Sequence, residues 1–327
     1  MYKRQVFIQD DCKALVPEYL RFVRGVVETD SLPLNVSREV TQNSPVMARI
    51  RTILTGKIIG LLEGWAEKEA EKYAKFFREF GPLFKLGVGN DFTNKDKLVD
   101  LLRFGSTKTP KGEYASFAGY VAAMPADQTQ IYYLLGEHRD VLERSPKLEY
   151  FRKNGIDVLL MDDPLDAFVV PHINAYKEKE LKSIEKADID LKADEEQQKD
   201  ALAGADVDRL IARFKVTLGD RVKDVVESRR LVDSAVTLVV GDSGMDVQME
   251  RMMKMMDKNF TSGVRILEIN TAHPVMKNLK AKLEGDDATV DQVILQLFEG
   301  ALLLDGGLTQ TSDFVARMTE LLVKATA

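Results

Sequence analysis

The residues of this sequence that could make or break bonds are few, and their spacing decides what they can do. Histidine occurs at positions 138, 172 and 273, and cysteine only at position 12. A lone cysteine closes no bridge within the chain, and three scattered histidines form no Cys/His set at zinc spacing. The expectation is a fold held by neither disulfide nor metal. Gly241-Asp242-Ser243-Gly244 has the form of a serine nucleophile loop, and Thr271-Ala272-His273 that of a protease histidine motif. The trypsin-like order places histidine before serine, whereas His273 follows Ser243, so a polar turn after a strand is the better reading. His138-Arg139-Asp140 has the order of a kinase catalytic loop. Ser145 nevertheless stands where a metal-binding asparagine is needed, and no Gly-rich loop precedes it. Gly56-Lys57 lacks the upstream glycine and the following Ser/Thr of a phosphate loop. Each histidine is solitary and reads as structural.

The chain that must position any site has 327 residues, which exceeds what one hydrophobic core usually organises, so at least two domains are expected. Its composition, 45% hydrophobic and 30% charged, is that of a packed globular protein. A net charge of −6 with interspersed signs offers no field for a phosphate backbone, so nucleic acid is not expected as a partner. The longest stretch without charge, Tyr114 to Ala126, falls short of the roughly 18 to 20 apolar residues of a membrane span. The start runs from Lys3-Arg4 through a short apolar piece straight to Asp10-Asp11, without a signal-peptide core. The expected compartment is cytoplasmic.

Periodicity predicts a strand at Gln5 to Ile8, a helix-like run from Cys12 to Val27, and an extended piece at Leu32-Pro33-Leu34-Asn35-Val36. Ser44-Pro45 is a strong helix start, a capping serine followed by proline at the first helical position. Met47, Ile50, Leu54, Ile58, Leu61, Leu62 and Trp65 then fall on one helical face. Further helical runs are expected at Glu67 to Phe80, ending at Gly81-Pro82, and at Lys95 to Phe104. Strands at Gln130 to Leu135 and Ile156 to Met161, flanking a helical stretch Arg139 to Asn154, predict a parallel β-α-β unit. Fifteen of the 24 residues from Lys177 to Asp200 are charged, which reads as a solvated helix or linker carrying a domain boundary. A helix at Asp206 to Leu218, a hairpin of Val222 to Leu231 with Ala235 to Val240, and three further helices complete the chain.

Two features rise above this background. Six of the 12 methionines lie between Met245 and Met256. Met245, Met249, Met252, Met253, Met256 and Phe260 share helical spacing, while Asp246, Glu250, Lys254 and Asp257 fall elsewhere. Apolar residues at this spacing are usually core. Methionine, unbranched and polarizable, specifies a unique core poorly and adapts to many partners, so an exposed binding helix is the competing reading. The second feature is the helix pair at Thr289 to Leu304 and Ser312 to Lys324. Val290, Ile294, Leu297, Phe298 and Leu302 make the first apolar nearly all round, and Phe314, Met318, Leu321 and Leu322 line the second. A symmetric four-helix contact between two chains would cover such surfaces; burial within the domain is the alternative.

At this point the residues resemble a family. The pieces Val6-Phe7-Ile8 with Asp10-Asp11, Pro17-Glu18-Tyr19-Leu20-Arg21-Phe22-Val23-Arg24-Gly25-Val26-Val27 and Leu32-Pro33-Leu34-Asn35-Val36-Ser37-Arg38-Glu39 are similar to the middle domain of the 90-kDa heat-shock chaperones. The likeness continues through Leu101-Leu102-Arg103-Phe104, Ile131-Tyr132-Tyr133, Val158-Leu159-Leu160 and Leu218-Gly219-Asp220-Arg221-Val222. It extends to Met249-Glu250-Arg251-Met252-Met253 and Leu267-Glu268-Ile269-Asn270, covering effectively the whole chain.

The resemblance implies an α+β and α/β multi-domain architecture. An αβα middle-domain remnant would occupy 1–44, a small helical module 45–107, a second small αβα subdomain 108–180, and a mixed α+β dimerisation and client-binding domain 181–327. It implies that Arg38 reaches the γ-phosphate of ATP held in a separate N-terminal domain, with Gln42 steadying its loop. Such an arginine, delivered only on domain docking, supplies roughly 10³ to 10⁵ in rate in some NTPases. That ATPase domain is expected to lie outside this chain, so the chain alone should bind no ATP or magnesium and turn over none. The methionine helix corresponds to the family's client-binding element, with Met245 where a tryptophan is common, and the terminal helices to its homodimer contact. The end, Leu322-Val323-Lys324-Ala325-Thr326-Ala327, lacks the acidic tail of eukaryotic cytosolic members and favours the bacterial HtpG type. The implied partners are unfolded client proteins, a second copy of the chain and the ATPase domain. The rival function is a non-catalytic dimeric scaffold that keeps the dimer without serving a nucleotide cycle.

Overall fold

The computed structural model describes residues 1–30, 45–192, 201–283 and 289–326. The chain folds as two compact units. The first comprises residues 1–105, 109–123 and 163–178, and the second residues 106–108, 124–162 and 179–327.

The first unit opens with a tight hairpin of β1 (Tyr2–Lys3) and β2 (Val6–Phe7), joined through Arg4 and Gln5 at positive φ. This replaces the single expected strand. The helix-like run from Cys12 to Val27 is not one helix but two short 3₁₀ turns, Lys13–Leu15 and Glu18–Leu20. Pro17 is the cause: its ring disfavours helical backbone at Val16, which is extended at φ −137° and ψ 154°. Helix α1 (Pro45–Lys68) starts at the expected proline, and its buried side is Met47, Thr55, Ile59 and Leu62, leaving Leu61 exposed.

Helix α2 (Ala70–Lys85) runs through Gly81-Pro82 rather than stopping there. An interior proline costs a helix about 3 kcal/mol. Burial of Phe76, Phe77 and Phe84 on one side of α2 returns roughly 1.5 to 3 kcal/mol each, which is larger in sum. Gly81 is required by this packing, since a Cβ there would stand 2.9 Å from the Phe77 ring. Helices α3 (Lys95–Leu101) and α4 (Phe117–Ala123) follow, with further one-turn helices at Gly87–Asn90 and Asp166–Val169; the Tyr73 hydroxyl donates to the Leu101 carbonyl at 2.5 Å.

The second unit contains two small sheets. In the first, β3 (Gln130–Leu135) lies between β4 (Leu159–Met161) and β5 (Lys179–Ser183), parallel to both. The expected β-α-β unit is present. Its helical segment is broken into α5 (Arg139–Leu142) and α6 (Glu149–Lys153) by Pro146, with Ser145 capping the intervening turn. Strand β5 falls inside the charged run expected to be linker or helix. Leu181 and Ser183 pair with Ile131 and Tyr133, while Glu180 and Lys182, alternating with them, keep the other face polar.

After α7 (Gly204–Leu218), strands β6 (Asp224–Glu227) and β7 (Val236–Val239) do not form the expected hairpin. Strand β8 (Ile266–Ile269) inserts between them, parallel to β6 and antiparallel to β7. This strand and α9 (Pro274–Leu283) follow α8 (Val247–Met256); α10 (Thr289–Leu304) and α11 (Thr311–Thr326) then close the unit as an antiparallel pair. The core over this sheet joins Phe214, Leu238, Leu267, Met276, Ile294 and Phe298. The mixed α/β, several-domain fold class is as expected, and no helix among the described residues is long and apolar enough to cross a membrane.

Arg230 links the two sheets of the second unit. It is 1% exposed, donates to Glu268 Oε2 at 2.9 Å and to the Lys186 carbonyl at 2.7 Å, and also bonds the Ile184 carbonyl. Removing one member of a buried pair leaves an uncompensated charge and costs about 3 to 5 kcal/mol, whereas an exposed pair is worth under about 1 kcal/mol. Urea unfolding should therefore show Arg230→Met losing several kcal/mol, while Lys215→Met, which breaks the half-exposed pair with Asp224, stays near wild type.

Candidate functional site

Helix α8 carries its polarity the wrong way round for a core helix. Gln248 and Glu250 are buried, as is Asp246 immediately before the helix, while Met255 and Met256 are 80% and 73% exposed. Met245 is exposed too, and Met249, Met252, Met253 and Phe260 are half-buried. The core reading of the methionine stripe is thereby excluded for its outer members. Met255, which the helical-face count omits, is the most exposed methionine of the group.

The inward acids are all engaged, whereas Gln248 Oε1 is buried without a hydrogen-bond partner. Asp246 Oδ1 accepts from the Ser183 hydroxyl at 2.6 Å and Oδ2 from Tyr133 at 3.1 Å. Glu185 Oε2 accepts the Val247 backbone N–H at 2.9 Å, satisfying an otherwise orphaned donor in the first turn of α8. Its other oxygen pairs with Lys147 at 2.8 Å, and Lys147 also meets Asp305 at 2.9 Å. Glu250 is held by Arg265 at 2.6 Å and accepts from the Gly263 N–H at 3.2 Å. Four carboxylates thus fasten α8 and its neighbours by their buried sides. A polar group that is buried and paired is costly to pull out, so the helix has a defined roll about its axis.

Burial pushes the Asp246 carboxyl up to about 6, with the nearby Glu185 charge acting in the same direction and the Ser183 hydrogen bond opposing it. Burial also works against ionisation of Glu185, but the Lys147 ammonium and the Val247 N–H more than offset it and hold that carboxyl below its ordinary value. The Tyr133 hydroxyl is raised by burial and by Asp246. One carboxyl of the adjacent pair is therefore firmly ionised and the other is close to its protonation point near neutral pH.

The remaining site residues are distributed differently. Val290, Ile294 and Phe298 are buried in the unit's own core, on the side of α10 that faces α7 and β7. Leu297, Leu302, Phe314 and Leu321 are half-buried, and Met318 and Leu322 are exposed. No residue of α11 is buried. Arg38 and Gln42 lie outside the described residues. No sequence signal marked Ser183, Tyr133 or Arg265 as supports for α8, because each is distant in the chain and ordinary in type.

The Hsp90 protein family model matches residues 1–327, the whole chain. The chain belongs to the Hsp90 protein family. It is 51% identical over its full length to the chaperone protein HtpG of Chlorobium luteolum, covering 52% of that protein. It is similarly 51% identical to the HtpG of Chlorobaculum tepidum, again covering 52% of it. To that of Geobacter sulfurreducens it is 42% identical over 99% of this chain and 51% of the relative. The chain thus spans about half the length of the curated relatives it matches. Each of these relatives is a chaperone protein HtpG.

Asp246 offers a direct check on the support of α8. Its folded value of about 6 lies above the ordinary 3.8, so the folded state binds this proton more tightly than the unfolded chain does. The wild type should gain stability relative to Asp246→Asn as pH falls from about 7 to 4, with the gain complete below 4. Thermal melts across that range measure it, and a pH-independent difference between the two proteins would contradict the assignment.

Proposed function

We propose that this chain is the client-binding and dimerising part of an ATP-driven chaperone. The observation that carries this reading is the inversion of α8, whose acids and amide point inward while Met245, Met255 and Met256 face solvent. A flexible thioether surface gains from burial against many apolar shapes without demanding one of them, which suits unfolded or partly folded proteins as substrates. The half-buried Met249, Met252, Met253 and Phe260 would extend that surface. In the same reading ATP and magnesium are held by an N-terminal ATPase domain beyond this stretch, with Arg38 and Gln42 serving it in trans, and the setting is cytoplasmic. No nucleotide step is assigned to the residues described here.

Dimerisation is supported by α11. A helix of 16 residues with no buried side chain gains nothing from its own unit beyond its seam with α10, and Val315, Met318 and Leu322 form an exposed row at helical spacing. Leu303 and Leu304 at the end of α10 are exposed as well. A second copy presenting the same surfaces would cover both.

Two measurements test the proposal. Replacing Met245, Met255 and Met256 by serine removes only exposed groups, so stability should change by less than about 0.5 kcal/mol each. Suppression of aggregation of a heat-denatured client should fall several-fold; undiminished suppression would refute client binding and leave the scaffold reading standing. Separately, Val315, Met318 and Leu322 changed together to serine should convert a dimer at micromolar concentration to monomer in sedimentation equilibrium. A wild-type monomer at that concentration would refute the assigned contact.

A further inference from the structure

The methionines of this chain divide sharply by exposure. Met47, Met161 and Met276 are buried core residues, whereas Met255 and Met256 are 80% and 73% exposed. Met245 and Met318 are exposed to a lesser degree. A methionine so open offers its thioether sulfur to water, and susceptibility to peroxide follows that access. Cys12, the single cysteine, is half-buried and packs against the Met1 and Met47 cluster.

Met255 and Met256 are the last two residues of α8. The hydrogen bonds that hold this helix lie at its other end. Glu185 accepts the Val247 N–H at 2.9 Å, Asp246 accepts from the Ser183 hydroxyl at 2.6 Å, and Glu250 is held by Arg265 at 2.6 Å. Those bonds are made by nitrogen and oxygen, which peroxide leaves untouched. An oxygen added to Met255 or Met256 enters water, so it displaces no core packing and strands no buried polar group. What it changes is the surface, where a flexible apolar side chain becomes a polar one.

We propose that Met255 and Met256 form a peroxide-sensitive modification site that switches the outer surface of α8 from apolar to polar while the helix stays folded. Hydrogen peroxide gives one oxygen to the sulfur lone pair; the O–O bond breaks, the sulfide becomes a sulfoxide, and the peroxide is reduced to water. A methionine sulfoxide reductase returns the sulfide, with two electrons and two protons from a dithiol carrying the oxygen away as water. The chemistry follows from exposure, and its effect on unfolded proteins rests on the client-binding role proposed for α8.

Peptide mass mapping of the Cys12→Ser protein during limited peroxide treatment tests the site. Met255 and Met256 should each gain one oxygen at least about tenfold faster than Met47, Met161 or Met276. With both oxidised, the melting temperature should stay within about 2 °C of that of the untreated protein. Suppression of aggregation of a heat-denatured client should fall several-fold, and return after reduction by sulfoxide reductases of both epimer specificities. In Met255→Leu/Met256→Leu, which keeps an apolar surface without sulfur, the same treatment should lower suppression less than about twofold from whatever level that variant starts. Oxidation of the pair no faster than of the core methionines, a larger melting shift, full suppression with both sulfoxides in place, or an equal loss in the leucine variant would each overturn the proposal. A protein that suppresses no aggregation even before peroxide refutes client binding instead, and the order of oxidation read by mass then upholds or overturns the modification site by itself.

Discussion

The second unit is organised around one buried carboxylate. Glu185 sits just beyond β5 with its side chain 3% exposed, where an isolated negative charge would be severely penalised. It is tolerated because Lys147 pairs with one oxygen and the Val247 N–H donates to the other. Its backbone carbonyl also accepts the Val240 N–H at 2.8 Å, and Lys147 extends the network to Asp305 at the end of α10. The Glu185 carboxylate thus ties the end of the parallel sheet to the start of α8 and, through Lys147, to the end of α10, while its backbone carbonyl joins the strand β7 side of the three-stranded sheet. Breaking any partner exposes the others to an unpaired buried charge, so these elements are coupled in a way that apolar contacts alone would not enforce.

The orientation of α8 follows from that constraint. The first turn is fixed by Glu185 at Val247 and by Ser183 and Tyr133 at Asp246, and the second by Arg265 at Glu250. With its acids spent on these anchors, the helix turns Met255 and Met256, together with Lys254, to solvent. The usual hydrophobic driving force would roll an amphipathic helix the other way. Here the alternative is three unsatisfied polar side chains in the interior, and that penalty exceeds what burying two or three thioethers would return. A pliant surface on a rigidly held helix results.

Helix α10 shows the opposite arrangement. Val290, Ile294 and Phe298 seal the core over β7, while Arg317 reaches across from α11 to the buried Glu299 at 2.7 Å. The apolar surplus of α10 is thus mostly consumed inside the unit. What remains exposed lies on α11 and on Leu303 and Leu304. The same amino-acid type plays both parts, and the helix that has a sheet beneath it buries its leucines and valines whereas the helix that has none does not.

Much was legible in the linear sequence because local physics sets it. The Pro45 helix start, the strand at Gln130 to Leu135, the parallel β-α-β unit, the helical spacing of the methionines and the family likeness all depend on neighbours in the chain. Local reading failed where distant partners intervene. The insertion of β8 between β6 and β7, the strand inside the charged run at Lys179–Ser183, and the passage of α2 through Pro82 each depend on surfaces brought from elsewhere. The sequence by itself determined that a methionine-rich amphipathic helix exists and which family it belongs to. Only the tertiary structure decided which side of that helix faces water, because the outcome depends on Ser183, Glu185 and Arg265. Their hydrogen bonds to α8 cross long chain separations that no periodicity encodes.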